Sequence, residues 1–498
     1  MDRKWRALII VCVGIFMLLL DITVVNVALP DIQKELHTSF TDLQWVVDAY
    51  ALLLATCMLN AGTLGDLLGR KRVFIGGVVL FTAASAACGA ATSPLFLNLA
   101  RGVQGIGGAV MFAVSLAILS QEFHGRERGT AFGIWGATIG AAVAIGPLVG
   151  GALTTWAGWR WIFYVNLPIG AICVVGAFAY LHESRDEERG GFDLPGFVTL
   201  TAGLFALVLA LLRGNDWGWS SGREVGLLAG GVAALVVFVL VERRSSSPMF
   251  DVSLFRVPTF TGAQIVAFTI SSAMFSQFLY LTLYLQNVLG YSPIQAGLRF
   301  LPLSLLAFVT APIAGRLSAR APVRLLIGVG MGLVGVALLL MHGVTPSSHW
   351  TTLLPGFLVG GIGIGMVNAP LAATAVSVVE PRRAGMASGI NNTFRQVGIA
   401  TGIAGLGAIF QNKIRSELHG SPAAKAVASG AVQQGGHAAR VAFITGLNEI
   451  LLVAAFVAFA GAVLGFALVR RSDLVASGPA AAALEQGGTR AQEARPHA

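Results

Sequence analysis

The sequence predicts an all-α polytopic membrane protein, and three observations carry that prediction. Hydrophobic residues make up 55% of the 498-residue chain and charged residues 11%, against about 25% charged in an ordinary soluble domain. The mean hydropathy is +0.76. The apolar residues fall in long unbroken runs near the twenty residues a bilayer-spanning helix needs, not in the alternating segments of a barrel. Lys and Arg fall in short clusters between those runs. The formal charge of +9 therefore reports membrane topology, and no nucleic-acid partner is expected.

Fourteen spans are predicted, at 7–29, 45–65, 73–92, 95–117, 130–154, 161–181, 194–213, 223–242, 258–286, 294–317, 323–342, 351–375, 388–411 and 443–469. The first has a basic start (Arg3, Lys4, Arg6) and about twenty-two apolar positions, too long for a signal-peptide core. The ninth is long enough to tilt. Clusters at Arg70/Lys71/Arg72, Arg126/Arg128, Arg185/Arg189, Arg243/Arg244, Arg316/Arg320/Arg324, Arg382/Arg383 and Arg470/Arg471 occupy even-numbered loops or the C-terminal end. Loops one, three and five hold only Lys34 and Arg160, while loops seven (Arg213, Arg223) and thirteen break the pattern. The positive-inside rule then puts both termini in the cytoplasm. Cys12, Cys57, Cys88 and Cys173 lie inside spans with neither metal-ligand spacing nor an obvious disulfide pairing, and are read as small buried apolar residues. No metal site is expected.

Two echoes divide the chain into halves. Gly62-Thr-Leu-Gly65-Asp66-Leu-Leu-Gly69-Arg70-Lys71-Arg72 returns in degraded form as Ala314-Gly315-Arg316-Leu-Ser-Ala-Arg320. Arg126-Glu-Arg128-Gly129-Thr-Ala-Phe-Gly133 returns as Arg382-Arg383-Ala-Gly385-Met-Ala-Ser-Gly389. Internal repeats of this kind build many transporters. The predicted organisation is a cytoplasmic N-terminus (1–6), a six-helix bundle (7–181), two additional helices (194–242), a second six-helix bundle (258–469) and a disordered cytoplasmic tail (473–498).

Within this frame the polar residues inside spans become candidates. Asp21 lies within about a turn of the centre of the first helix, where a carboxylate costs about 2.5–3.5 kcal/mol on insertion scales. Arg101, four to six residues into span four beside Gln104, reads either as its intramembrane partner or as a snorkelling residue at the outer interface. Asp48 reads as a second proton-coupling group or as a wet interfacial carboxylate. Gly62, Gly65 and Gly69 permit close backbone approach, and Asp66 is placed to cap a neighbouring helix or to pair with Arg70, so the segment reads as a gate, the alternative being a topogenic loop whose bases only enforce orientation. Gly146, Pro147, Gly150 and Gly151 in span five suit close helix contact. Asn26, Trp45, Tyr50, Gln104, Arg299, Arg395 and Glu449 are candidates for lining a substrate cavity. Packing, snorkelling or interfacial placement is the alternative for the aromatics, the arginines and Glu449.

These motifs together resemble the major facilitator superfamily, and within it the fourteen-span drug:proton antiporters. Leu20-Asp21-Ile22-Thr23-Val24-Val25-Asn26-Val27-Ala28-Leu29-Pro30 is similar to the first-span motif of that subfamily. Gly62–Arg72 is similar to the superfamily loop motif, with Leu67 where Arg is usual. Arg101–Gly108 is similar to the fourth-span motif linked to proton coupling. Gly146-Pro147 to Gly150-Gly151 is similar to the antiporter motif, with Ala142 where Gly is frequent. Gly297-Leu298-Arg299 to Pro302 and Asn392-Thr-Phe-Arg395-Gln-Val-Gly398 also fit.

The resemblance implies a major facilitator fold of two six-helix bundles with two linker helices. It implies a monomer in the bacterial inner membrane that exports small hydrophobic or amphipathic, often cationic, drugs against a proton current, with the proton as coupling ion and no other cofactor. Divalent cations are not expected as cargo, since spans nine to thirteen hold no interior acid. The alternatives are a dedicated exporter of one self-made metabolite or antibiotic and, remotely, a non-transporting sensor or scaffold. An enzyme is not expected, because no nucleophile–base pair, metal cluster or nucleotide loop is present.

Overall fold

The computed structural model describes residues 2–473 apart from 38–39, 124, 186–192, 246–249, 319, 381–382, 422, 429, 431, 433–435 and 471–472. Helices run in chain order as α1 (Arg3–Leu36), α2 (Phe40–Leu68), α3 (Arg70–Gly89), α4 (Pro94–Glu122), α5 (Gly125–Ala157) and α6 (Trp161–Tyr180). They continue as α7 (Leu194–Trp217), α8 (Gly222–Arg244), α9 (Pro258–Val288), α10 (Pro293–Leu317) and α11 (Val323–Met341). The last are α12 (Leu354–Ser377), α13 (Ala384–Glu417) and α14 (Gly436–Leu468), with a short helix Ala423–Ala428 before α14. Among the described residues, twelve helical segments are long and apolar enough to cross a membrane. α5, of 33 residues, contributes the described apolar stretch Leu148–Ala157, and α13, of 34 residues, is not among the twelve. Asn391, Asn392 and Arg395 sit within α13, so its apolar character is broken.

Local chemistry sets the helix ends. Ser93 Oγ accepts from Phe96 N at the start of α4, and Asp193 Oδ1 accepts from Gly196 N at the start of α7. Ser292 and Gln295 form a reciprocal capping box at α10. α9 contains two π-helical turns, Ser271–Phe275 and Tyr284–Val288.

Buried apolar residues gather into separate cores. One draws entirely on residues 263–469, including Met274, Phe357, Phe410 and Phe443. Another draws on Val11, Phe74, Phe81, Met111 and Trp135, with Ala372, Val376 and Ala384 from the later helices at its edge. Between them, α5 runs along α10 and α12, and α2 runs along α13. α7 packs on both α2 and α13, and α8 packs on α7. The outward side chains are apolar: Leu95, Leu99, Ile172, Val175, Val232, Val236, Phe456 and Val463 are all exposed. So large an exposed apolar surface needs lipid around it.

Candidate functional site

Asp21 is 2% exposed and is the acceptor at the centre of a polar cluster. Arg101 Nη1 of α4 forms an ion pair with Asp21 Oδ2. Gln104 Nε2, one turn on, donates to Oδ1 at 2.9 Å, and Asn166 Nδ2 of α6 donates to the same oxygen at 3.0 Å. Arg101 also donates from Nε to the Val46 carbonyl of α2 at 2.9 Å and from Nη1 to Gln104 Oε1 at 2.7 Å. The Tyr50 ring lies under its guanidinium, 4.2 Å from the centroid. Asn166 Nδ2 continues to Ser85 Oγ of α3 at 3.0 Å. Five helices of the first half thus converge on one carboxylate. Arg101 is 1% exposed, so it does not snorkel to an interface.

The glycines of α5 set this cluster against the rest of the molecule. A methyl group at Gly146 would strike Thr23, and one at Gly150 would lie 3.0 Å from the Val24 carbonyl, both on the turn after Asp21. One at Gly151 would lie 2.9 Å from Ile294 of α10. The antiporter-like segment therefore sits between the Asp21 helix and the second half. The side chains of Asn26 and Pro147 lie outside the described residues.

The Gly62–Arg72 segment, the candidate gate, ends α2 at the end of the bundle where α1 begins. Asp66 and Arg70 are both fully buried, with Arg70 Nη2 2.7 Å from Asp66 Oδ1. Asp66 also accepts from Gly385 N at 3.0 Å and Met386 N at 2.8 Å, the first turn of α13. A carboxylate at a helix N-terminus meets unpaired N–H groups and the positive end of the dipole. Gly62 lies so close to Gly385 that a methyl group would run into its carbonyl, and one at Gly65 would lie 2.5 Å from Val114 Cγ1. Gly69 has φ +106°, which a side chain disfavours. Past it, Glu183 accepts from Lys71 N and Arg72 N. A second contact mirrors the first: Gly129 of α5 and Gly315 of α10 approach with each backbone carbonyl in the path of the other's missing methyl. Each segment of the first half meets the opposite repeat of the second.

The remaining candidates are dispersed. Asp48 pairs with Arg213 of α7 at 3.0 Å, and the Arg213 guanidinium lies 4.4 Å from the Trp45 ring centroid. Arg299 Nη1 donates to the Gln295 carbonyl at 2.7 Å and stacks on Tyr291. Glu449 lies 3.5 Å from Lys413 with a 44% exposed side chain. At the opposite end from the gate, Arg160 and Trp159 Nε1 donate to Glu35, and the Arg160 hydrogen bond chiefly holds that carboxyl below its ordinary value.

A cavity of about 20 Å³ lies between the halves, lined by Gly136, Gly140, Phe275, Phe278, Ser304 and Asn368 among others. Of the expected cavity residues, Trp45, Tyr50, Gln104, Arg299 and Glu449 do not line it. Tyr50, Gln104, Arg299 and Glu449 are turned to a polar or ring partner in their own half, and Trp45 to Arg213 of α7. Arg395 adjoins the wall, since its Nη1 donates to Asn368 Oδ1 at 2.9 Å.

Sequence reasoning missed Asn166, Ser85, Arg213, Asn368, Asn391 and Gln264. Arg213 had a signal, because it broke the alternation of basic loops. Asn166 had one too, as a lone amide in the apolar run of span six.

A buried carboxylate–guanidinium hub beside a glycine-lined junction of two helical halves defines a polytopic membrane transporter rather than an enzyme. Residues 11–403 match the model described as Major Facilitator Superfamily, and the chain belongs to that superfamily. It is 39% identical over 401 residues to "Multidrug resistance protein Stp" of Mycobacterium tuberculosis, covering 80% of this chain and 74% of that one. It is 37% identical over 462 residues to "Puromycin resistance protein pur8" of Streptomyces alboniger, covering 91% of each. Among solved structures it resembles the proton:xylose symporter XylE with a TM-score of 0.66, at 11% identity over 94% of this chain and 96% of that one. That likeness speaks for the fold alone.

Proposed function

We propose that the protein is a proton-coupled antiporter that exports small hydrophobic or amphipathic drugs across the bacterial cytoplasmic membrane by alternating access. In this reading fourteen spans, both termini cytoplasmic, form bundles 7–181 and 258–469 bridged by 194–242, and the chain acts as a monomer. The alternating basic loops support the orientation. The relatives' names, multidrug and puromycin resistance, support drug export. The single observation that carries proton coupling is the Asp21 hub. When a proton neutralises Asp21, Arg101 loses its counter-ion inside the membrane, a costly state that moving helices can relieve. A proton thus biases one conformation over the other, which coupling requires. Asp66 and Arg70 act as the latch that holds the cytoplasmic end shut, and Asp48 with Arg213 ties α7 to α2.

The test uses everted membrane vesicles energised to an acridine-orange-reported pH gradient. Puromycin and a panel of unlike drugs should each draw down the gradient with wild type and leave it untouched with Asp21→Asn at equal membrane level. A full response from Asp21→Asn overturns the coupling assignment. A response to one compound alone selects the dedicated exporter instead, a reading favoured by pur8's name for a single antibiotic.

A further inference from the structure

The second half of the molecule carries a charge that the fold leaves uncompensated. Arg395, on α13, is 7% exposed. Its Nη1 donates to Asn368 Oδ1 at 2.9 Å, its Nε to Asn391 Oδ1 at 3.5 Å, and its Nη2 meets no partner. Asn391 Nδ2 donates on to Gln264 Oε1 of α9 at 3.1 Å, and Gln264 Nε2 is likewise unmet. Four buried polar residues from three helices form this group, and none is acidic. The sequence says why: from Val252 to Ser416 the only carboxylate is Glu380. In the first half each deep carboxylate is matched, Asp21 by Arg101, Asp48 by Arg213 and Asp66 by Arg70. Of the four buried arginines among the described residues, Arg395 is the one without a carboxylate.

A guanidinium held this way is expensive in a membrane interior, and such a group marks a pathway or a ligand. Asn368, which fixes Nη1, is also a wall of the cavity between the halves. Apart from Ser304, the rest of that wall is glycine, aliphatic and aromatic, and Phe275 reaches it from the π-helical turn Ser271–Phe275. π-turns recur at functional sites. At about 20 Å³ the cavity has room for a water or so in this conformation, so cargo enters only when α5 and the second half part.

We propose that Arg395, with Gln264 and Asn368, receives an oxygen anion, a carboxylate or ionised phenol on an aromatic body, as the recognised group of the exported compound. This rests on the export reading and narrows it, since the cargo expected from the resemblance is often cationic. A planar guanidinium with a free edge and a neighbouring amide N–H match the fork of a carboxylate. With Asp21 already neutralised by Arg101, nothing in the hub attracts a cation.

The test is dye binding to the purified full-length protein in detergent, read by fluorescence anisotropy at pH 7.5. Fluorescein and rhodamine 123 share a tricyclic body; the first is an anion with a free carboxylate, the second a cation with that carboxyl esterified. Wild type should bind fluorescein at least tenfold more tightly. Arg395→Gln should lose that preference by tenfold or more, with rhodamine 123 binding unchanged, and Arg395→Lys should keep part of it. A purely structural Arg395 would instead weaken both dyes alike and lower the melting temperature. Removing an uncompensated buried charge should leave that temperature unchanged or raise it. Equal or tighter rhodamine 123 binding by wild type, no fluorescein binding, or unchanged fluorescein binding by Arg395→Gln overturns the proposal. Fluorescein binding retained by Asp21→Asn without gradient-driven flux would bear on coupling, not on this site.

Discussion

Asp21 is held by three donors, and protonation changes what each of them meets. Gln104 and Asn166 can still donate to a neutral carboxyl or amide, but Arg101 cannot find another anion. Breaking a buried pair by removing one partner costs about 3–5 kcal/mol, whereas replacing both partners is often neutral. Asp21→Asn should therefore abolish coupled export and also lower the melting temperature. The double variant Asp21→Asn/Arg101→Gln should recover most of the stability and none of the transport. Thermal unfolding in detergent beside vesicle transport checks this. A double variant no more stable than Asp21→Asn would show that Arg101 is held by Val46 and Tyr50 rather than by its charge partner. The carboxylate itself was legible in the sequence, because its cost within a span is high. Asn166 left only the faint signal of a single amide in an apolar run, which is cheap enough to pass as packing.

At the scale of elements, the joint between α2 and α13 is the place where charge meets a helix end. Asp66 accepts two backbone N–H groups of α13 as well as two guanidinium N–H groups of Arg70. Hydrogen bonds to a charged group are worth about 1.5–3 kcal/mol each. Asp66→Asn keeps the shape and loses the charge, so it should shift the equilibrium toward the state open at this end by about tenfold or more, since 1.4 kcal/mol is a factor of ten. Spin labels at exposed Arg72 and Arg320, on a background without the four native cysteines, report the separation of the halves there. An unchanged distance distribution would remove Asp66 from the latch. The sequence showed that three spaced glycines and an acid form a joint, but not its partner. Gly385 lies 319 residues from Asp66, and no local spacing specifies a contact at that range. The glycine spacing within α5 likewise announced a close helix contact without saying that Thr23 and Val24 on one side and Ile294 on the other would make it.

The whole molecule closes through two such contacts that the internal repeat relates to one another. Gly62 meets Gly385, and Gly315, its counterpart in the second half, meets Gly129, the counterpart of Gly385. The two contacts differ in charge. Ala319 occupies the repeat position of Asp66, so the α5–α10 contact rests on close backbone approach while the α2–α13 contact adds a carboxylate. Closing one end of a two-bundle transporter requires both contacts, because either alone leaves a hinge about which the halves can swing. Packed interfaces of this kind are bistable rather than continuously deformable. Gly315→Ala should then open the same end as Asp66→Asn although Asp66, Arg70 and the α13 N-terminus are untouched, because the added methyl meets the Gly129 backbone, which has no rotamer to yield. The Arg72–Arg320 label distance should lengthen in Gly315→Ala, and export should fall while the protein remains folded and membrane-inserted. The combination of Gly315→Ala with Asp66→Asn should open little further than either variant, as expected when both act on one equilibrium. Openings that add independently would instead mean that the two contacts guard separate motions.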